Sequence, residues 1–188
     1  MEGVKELFNT NFLGPVCLIK EVLSEMRKRK SSAIINISSL GALTCNGGSG
    51  YYSASKSALE KMSISLRDEV EPLEIKVMIV EPGPFRTNFR VSHIPSEDRG
   101  IDDYAKIKEA RQRLAQDPFG QKGDPYKAAQ VIVSTIEKED YPKMILLGKG
   151  TTNLGVKILS DQINEITGDF LRKQTGRWYP STGGRSWK

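Results

Sequence analysis

The sequence predicts an α/β protein built on a parallel sheet, of which about three strands are present. Three short apolar runs rich in β-branched residues lie at 33–38, 75–82 and 143–148. Such continuous apolar runs are typical of strands buried on both faces. Segments with helical periodicity precede, separate and follow these runs. This alternation of helices and apolar strands is the pattern of a parallel sheet whose connections are helices.

The first predicted helix covers 5–29, where apolar residues recur at alternating steps of four and three. Pro15 within this segment has no backbone N–H, so the carbonyl of Asn11 loses its helical partner. We therefore expect the helix to kink at this point, with a freed carbonyl that can hold a water molecule.

A Gly-rich loop, LGALTCNGGSG at 40–50, connects the first strand to a second helix over about 52–70. Pro72 ends this helix, because proline cannot continue the hydrogen-bonding pattern. A long polar stretch at 83–123 follows the second strand and has helical character only around 102–115.

The last third of the chain predicts two further helices around the third strand. Asp124 and Pro125 are typical of an N-cap and a first helical turn, and the helix runs to about Glu139. The other helix covers 153–172, and residues 173–188 are expected to form a flexible C-terminal tail.

The 188 residues predict a single domain over 1–172. With 38% hydrophobic and 27% charged residues, the composition is that of an ordinary soluble globular protein. No run approaches the roughly 20 apolar residues of a membrane span. The N-terminus lacks the basic and then apolar order of a secretory signal.

The net charge of +5 does not indicate nucleic-acid binding. The basic cluster RKRK at 27–30 ends a predicted helix, where cations suit the helix dipole. Cys17 and Cys45 show no metal-ligand spacing, and His93 is the single histidine, so no metal site is expected. Unpaired cysteines favour a reducing, cytoplasmic location.

Tyr52 and Lys56 are four residues apart and share one face of the second helix. A free phenol has a pKa of about 10 and transfers protons poorly at neutral pH. A nearby ammonium group favours the phenolate, so Lys56 is placed to lower this pKa. The pair thus predicts a general acid/base, although this spacing also occurs by chance on helix surfaces.

Two predicted strands end in residues suited to a ligand site. The first delivers Ser38 and Ser39, and the second ends in EPGPFRTN, where Pro82 and Gly83 let the backbone turn closely around a ligand. Open α/β sheets bind ligands at the carboxyl edge of their strands. We therefore expect these groups to converge with Tyr52 on one crevice.

These motifs resemble the C-terminal, catalytic half of the classical short-chain dehydrogenase/reductase (SDR) family. The matching segments are N-x-x-G from Asn11, IINISS, Y-x-x-x-K from Tyr52, and EPGPFRT. The thirteen-residue step to Tyr52 selects Ser39 over Ser38 as the family serine. The overall appearance is most similar to bacterial and fungal short-chain oxidoreductases related to hydroxysteroid dehydrogenases.

The resemblance implies an NAD(P)-dependent oxidoreductase that transfers hydride between nicotinamide and an alcohol or carbonyl substrate. Tyr52 would exchange a proton with the substrate oxygen, and Ser39 would hydrogen-bond that oxygen. Lys56 would lower the pKa of the tyrosine and hold the nicotinamide ribose. The main chain of Asn11 would anchor a water that links Lys56 to solvent.

The same resemblance places the remaining cofactor contacts on the second strand end. Pro82 and Gly83 would border the nicotinamide of NAD or NADP, and Thr87 would lie near its carboxamide. The segment at about 88–118 would form a lid over the substrate, and its aromatic and aliphatic residues favour a partly apolar compound.

One departure from the family pattern concerns the cofactor pyrophosphate. The Gly-rich turn T-G-x-x-x-G-x-G, which holds it at a helix N-terminus, has no match in the sequence. We therefore expect a Rossmann-like doubly wound sheet of which only the C-terminal half is present. The isolated 188 residues should bind nucleotide weakly or not at all.

An alternative hypothesis is a truncated, non-catalytic SDR-like protein that acts through its dimerisation helices. In the family the helices corresponding to 5–29 and 52–70 form a homodimer or homotetramer interface. Small residues on the second of these helices suit close helix contact, namely Ser53, Ala54, Ser57 and Ala58. A relation to the sugar-nucleotide epimerases, which share Y-x-x-x-K, is disfavoured by the proline–glycine turn after VMIVE.

Overall fold

A three-stranded parallel sheet lies at the centre of the computed structural model, which describes residues 1–90, 101–117 and 119–168. In chain order its strands are β1 (Ser32–Ile37), β2 (Ile75–Pro82) and β3 (Met144–Leu147). They pair in the order β1-β2-β3, and both pairings are parallel. The predicted α/β class is confirmed, and each strand end lies within one residue of its expected position.

The N-terminal helical segment is interrupted before Pro15. It consists of α1 (Glu2–Phe8), a π-helical segment (Asn9–Leu13) and α2 (Gly14–Arg29). The N–H of Gly14 donates to the carbonyl of Asn9, five residues earlier, rather than four. The helix predicted over 5–29 with a break at Pro15 is thus divided into three segments and begins at Glu2. The interruption expected from Pro15 is confirmed as a widened turn, a form often found at functional sites.

Five further helices follow in the part of the chain that the structure describes. They are α3 (Gly41–Thr44), α4 (Gly50–Val70), α5 (Ala105–Gln116), α6 (Pro125–Ile136) and α7 (Thr151–Thr167). Asp124 caps α6 as expected, because its carboxylate accepts from the N–H groups of Tyr126 at 2.9 Å and Lys127 at 3.4 Å. The short α3 lies within the predicted loop 40–50, where four residues cannot show a helical period.

Two predicted segments reach beyond the described residues. The expected lid at about 88–118 contains a 3₁₀ turn at Asn88–Arg90, another at Asp102–Tyr104, and α5. Its residues 91–100 and 118 lie outside the described part of the chain. The expected tail at 173–188 and the end of the helix predicted over 153–172 also lie outside it.

The core forms where α2 and α4 pack on one face of β1 and β2. Its buried members are Ile19, Ile34, Leu66, Val70, Ile75 and Val77. On the opposite face of β2, the ammonium of Lys76 reaches the last turn of α6 and donates to the carbonyl of Ile136 at 3.0 Å. None of the described helices has the length and apolar character needed to cross a bilayer.

Burial differs between the two neighbouring strands. The central strand β2 is buried on both faces, as predicted, and Val77 through Val80 are almost fully inaccessible. In β1 only Ile34 and Asn36 are buried, and Ile37 remains 44% exposed. The expectation of burial on both faces is therefore wrong for β1, because it is an edge strand among the described residues.

Candidate active site

The predicted site residues follow β1 and β2 at the carboxyl edge of the sheet. Just beyond the ladder, the N–H of Leu40 donates to the carbonyl of Pro82 at 3.0 Å. The N–H of Gly83 donates to Leu147 at the end of β3, at 2.7 Å. These bonds hold the segment after Ser39 next to the Pro82–Gly83 turn. The convergence of the two strand ends, expected from the sequence, is present in the structure.

Ser39 and Tyr52 face each other across Gly41. The backbone N–H of Gly41 donates to the Ser39 hydroxyl at 3.0 Å. A Cβ atom on Gly41 would lie 3.1 Å from that hydroxyl and 3.0 Å from Cε1 of Tyr52. The absence of a side chain at this position therefore allows the serine and the tyrosine ring to approach. Sequence reasoning missed Gly41, since it was one of several glycines in an apparently irregular loop.

The protonation equilibria of Tyr52 and Lys56 are governed mainly by burial. Burial raises the pKa of Tyr52, and a smaller effect of hydrogen bonding with Ser39 lowers it. Burial lowers the pKa of Lys56, and the nearby carboxylate of Glu60 opposes this shift.

The expected lowering of the Tyr52 pKa by Lys56 is not found in this structure. The ammonium of Lys56 instead donates to the carbonyl of Ile37, at the end of the edge strand, at 3.0 Å. Lys56 is thus engaged at the sheet edge, and burial dominates at the tyrosine.

Asn11 reaches the tyrosine through its side chain. Its Nδ2 donates to the hydroxyl of Ser55 at 3.0 Å, and that hydroxyl donates to the carbonyl of Tyr52 at 2.8 Å. Ser55 is a residue of α4 and is fully buried where this helix contacts the π-helical segment. The sequence pointed only to the main chain of Asn11, and a buried serine inside a helix was the signal that it overlooked.

Thr87 lies after β2 and is exposed. Its hydroxyl accepts a hydrogen bond from the N–H of Phe89 at 3.3 Å. The ring of Phe89 lies 5.8 Å from the ring of Tyr52, centre to centre, with a tilt of 56°. Thr87 is therefore connected to the tyrosine through an aromatic side chain that covers part of the phenol ring.

The first residue of α7 packs against the Pro82–Gly83 turn. A side chain at Gly83 would collide with the hydroxyl of Thr151, the buried first residue of α7. Gly148, with φ +120°, gives the chain room to turn between β3 and that helix. Close packing thus fixes the position of the turn, an aspect that the turn sequence alone did not reveal.

A buried acidic pair lies behind the site and was not anticipated. The hydroxyl of Ser38 hydrogen-bonds the carboxylate of Glu60, and Glu81 at the end of β2 has no exposed surface. Burial, with a smaller effect of the Glu60 charge, raises the pKa of Glu81 to about 7. A glutamate closing the apolar run IKVMIVE was the available signal.

Metal chemistry finds no support in the described part of the chain. No group of three or more His, Cys, Asp or Glu residues there is arranged to hold an ion. Both cysteines are unpaired and exposed.

Comparison with known proteins places these features in a family. The family model described as short chain dehydrogenase matches residues 1–98. A 3-ketodihydrosphingosine reductase of Bacteroides thetaiotaomicron is 47% identical over 105 residues, which cover 55% of this chain and 39% of that protein. An uncharacterized oxidoreductase of Bacillus subtilis is 32% identical over 158 residues, covering 80% of this chain and 55% of that protein.

Solved structures give the same relation. A short-chain dehydrogenase of Streptomyces avermitilis superposes with a TM-score of 0.79 at 35% identity, covering 94% of this chain and 64% of that one. A short-chain dehydrogenase of Burkholderia cenocepacia, solved in complex with NADP, has the same fold with a TM-score of 0.65 at 18% identity, covering 88% and 58%. The chain thus spans between 39% and 64% of the length of these relatives. It belongs to the short-chain dehydrogenase family.

Proposed function

We propose that this chain forms the catalytic half of an NAD(P)-dependent oxidoreductase acting on an alcohol or carbonyl group. The observation that carries the proposal is the meeting of the Ser39 hydroxyl and the Tyr52 ring across Gly41. Lys56 lies one helical turn further along the same face of α4. A phenol, a hydroxyl and an ammonium group in this order suit proton exchange with a substrate oxygen.

Tyr52 gives a proton to the substrate oxygen during reduction and accepts it during oxidation. Ser39 hydrogen-bonds the same oxygen and stabilises the negative charge that develops on it. Burial raises the pKa of Tyr52, which favours the protonated phenol, the form that donates to the substrate oxygen during reduction. Asn11, through Ser55, holds the turn of α4 that carries the tyrosine.

The residues at the edge of the sheet fit the nicotinamide end of NAD or NADP. Pro82 ends β2, Gly83 after it has no side chain, and Thr87 is exposed. The ammonium of Lys56, which donates to Ile37 in this structure, would donate to ribose hydroxyls. The bound cofactor supplies the hydride, and the protein positions the reactants. The chain has no T-G-x-x-x-G-x-G turn, so we propose that polypeptide outside these 188 residues holds the pyrophosphate.

The proposed substrate is a ketone or secondary alcohol with an apolar portion. Phe89 packs beside Tyr52 and is 61% exposed, so an apolar surface borders the reacting oxygen. The Bacteroides relative is named for a reductase of a long-chain keto compound, which supports the same substrate class.

The test compares Tyr52→Phe with Tyr51→Phe in the protein purified from its natural cells. Tyr51 is the neighbouring tyrosine and is 61% exposed, so its variant controls for the loss of a phenol on the same helix. With ketones of increasing chain length and NADH or NADPH, we expect at least about a hundredfold loss of kcat for Tyr52→Phe alone. Equal activity of the two variants would overturn the proposal.

Self-association through α2 and α4 is a second candidate property. Leu18 on α2 is 65% exposed, and Ala54 on α4 is also exposed. Ser53 and Ser57 do not belong to such a surface, because Ser53 is buried and the hydroxyl of Ser57 donates to Ala42 at 3.4 Å. Analytical sedimentation of the wild type and Leu18→Lys tests this self-association, which the variant should weaken. A monomeric wild type would exclude it.

A further inference from the structure

Two glutamates lie together in the interface between α4 and β2. The side chain of Glu60 on α4 and that of Glu81 on β2 belong to residues that are 5% and 0% exposed. Glu60 is hydrogen-bonded by Ser38, whereas neither carboxyl oxygen of Glu81 has a partner. Burial without a hydrogen-bond partner disfavours the ionised form of a carboxyl group. This pair is therefore unlike the exposed acids of the surface.

Among the described residues, the charged groups that act on the pair lie on α4. Lys56 and Lys61, both on α4, act on Glu60, and Lys61 also acts on Glu81. The uncharged Ser38 follows β1, and Leu146 of β3 pairs with Glu81 in the sheet register. The helix α6 packs on the opposite face of β2, where Lys76 points. No cation contacts Glu81 directly within the described residues.

We propose that Glu60 and Glu81 share a single negative charge in mildly acidic solution, and that this charge lies on Glu60 behind Lys56. Ser38 links the two glutamates, because its hydroxyl bonds the Glu60 carboxylate and its N–H donates to the carbonyl of Val80, the residue before Glu81. Neighbouring carboxylates in a water-poor interior do not both ionise readily, because each charge opposes the other. Burial raises the pKa of Glu60 too, but the Ser38 hydrogen bond and two lysines oppose that rise. Glu81 has no hydrogen bond, so Glu60 is the member that ionises first. Glu81 keeps the proton.

The pair extends the face of α4 that carries the proposed catalytic groups. Tyr52, Lys56 and Glu60 follow one another at steps of four residues. Burial lowers the pKa of Lys56, and the anion on Glu60 opposes this shift, so it favours the ammonium form of Lys56. Glu60 and Glu81 are thus positioning residues, and this consequence rests on the proposed function. The sharing of one charge between the two glutamates does not rest on the proposed function.

The test is a titration of the wild-type chain with ¹³C-labelled glutamate carboxyl groups, followed by NMR without cofactor or substrate. Glu60→Gln and Glu81→Gln assign the two buried signals, and Glu69→Gln, an exposed glutamate on α4, is the control. We expect the Glu81 signal to titrate at about 7. Glu60→Gln should lower the pKa of Glu81, because it removes a neighbouring negative charge. Glu81→Gln should change the Glu60 titration little, because Glu81 is already protonated where Glu60 ionises, and Glu69→Gln should change neither. In Glu60→Gln the pKa of Lys56, followed by lysine labelling, should also fall.

Two ordinary, independent titrations near about 4.3 would overturn the inference, as would a Glu81 pKa that is unchanged by Glu60→Gln. If a glutamine variant fails to fold, the wild-type curves still decide, because a shared charge requires two well-separated titrations among the glutamates. The measurement involves no turnover. Independent titrations would therefore leave the oxidoreductase proposal intact. An inactive protein with a coupled glutamate pair would refute the oxidoreductase proposal and leave the shared charge standing.

Discussion

Gly41 determines how closely Ser39 and Tyr52 approach. It precedes the tyrosine by eleven residues and is the first residue of α3, a helix of four residues that is too short to be predicted from periodicity. The sequence could identify Tyr52 and Ser39, because their types and spacing carry chemistry. It could not identify Gly41, because glycine is required there only by the contact between this loop and Tyr52 on α4 in the folded chain.

Gly41→Ala should reduce turnover while leaving stability almost unchanged. The new Cβ would lie 3.0 Å from the tyrosine ring and 3.1 Å from the serine hydroxyl, so one of the two must move. We expect at least about a tenfold fall in kcat, equivalent to about 1.4 kcal/mol of barrier. Gly50→Ala is the control, since a Cβ there meets nothing within 4 Å. A Gly41→Ala enzyme with wild-type turnover would show that this approach is unimportant.

At the scale of elements, α4 is the scaffold of the proposed site. It carries Tyr52 and Lys56, and its inner face is fixed by apolar packing and by a hydrogen bond of 2.7 Å from Asn36 to Ser63. Periodicity revealed this helix and the three strands, because long apolar patterns survive without tertiary information. The same method missed the π-helical turn at Asn9–Leu13, whose hydrogen bonds shift by one residue without altering the apolar pattern.

Leu66→Ala should destabilise the chain through the anchoring of α4. Leu66 is 7% exposed and belongs to the core cluster under β1 and β2. Truncation leaves a cavity, so we expect a loss of about 2–5 kcal/mol in the free energy of unfolding, measured with urea. Leu114→Ala on α5 is the matched change at a residue that is 52% exposed, and it should cost under about 0.5 kcal/mol. Similar losses for both would contradict the packing described.

At the scale of the whole molecule, stability should fall as the pH rises from about 4.3 to about 7. Glu81 has a folded-state pKa of about 7, above the ordinary value of about 4.3 in the unfolded chain. Between these values the folded state binds the extra proton, so the free energy of unfolding decreases with increasing pH and levels off above about 7. Urea unfolding across this range should show the slope in wild type and a flatter profile in Glu81→Gln. Parallel profiles would exclude this origin of the pH dependence.

Nucleotide binding by the isolated 188-residue chain should be weak. The described strand ends suit a nicotinamide, but the sequence offers no Gly-rich turn for the pyrophosphate, where a helix N-terminus would supply much of the affinity. Calorimetric titration with NADH and NADPH should therefore give a Kd weaker than about 1 mM, or no heat, corresponding to less than about 4 kcal/mol. Micromolar binding by this chain would contradict the expectation.

The family and the parallel sheet were accessible from sequence because four motifs in order constrain the whole chain. The exposed edge of β1 and the engagement of Lys56 with Ile37 were not, since both depend on which neighbours surround the strand. The raised pKa of the buried Glu81 is likewise a property of the assembled interface.

The most direct test of the central claim is isotope transfer by the protein purified from its natural cells. Nicotinamide cofactor carrying deuterium at the transferable position is incubated with a long-chain ketone, and the alcohol is analysed by mass spectrometry. The account predicts deuterium on the carbinol carbon for wild type and Tyr51→Phe, and its loss for Tyr52→Phe. Absence of label from the wild-type product, or unchanged labelling by Tyr52→Phe, would contradict it.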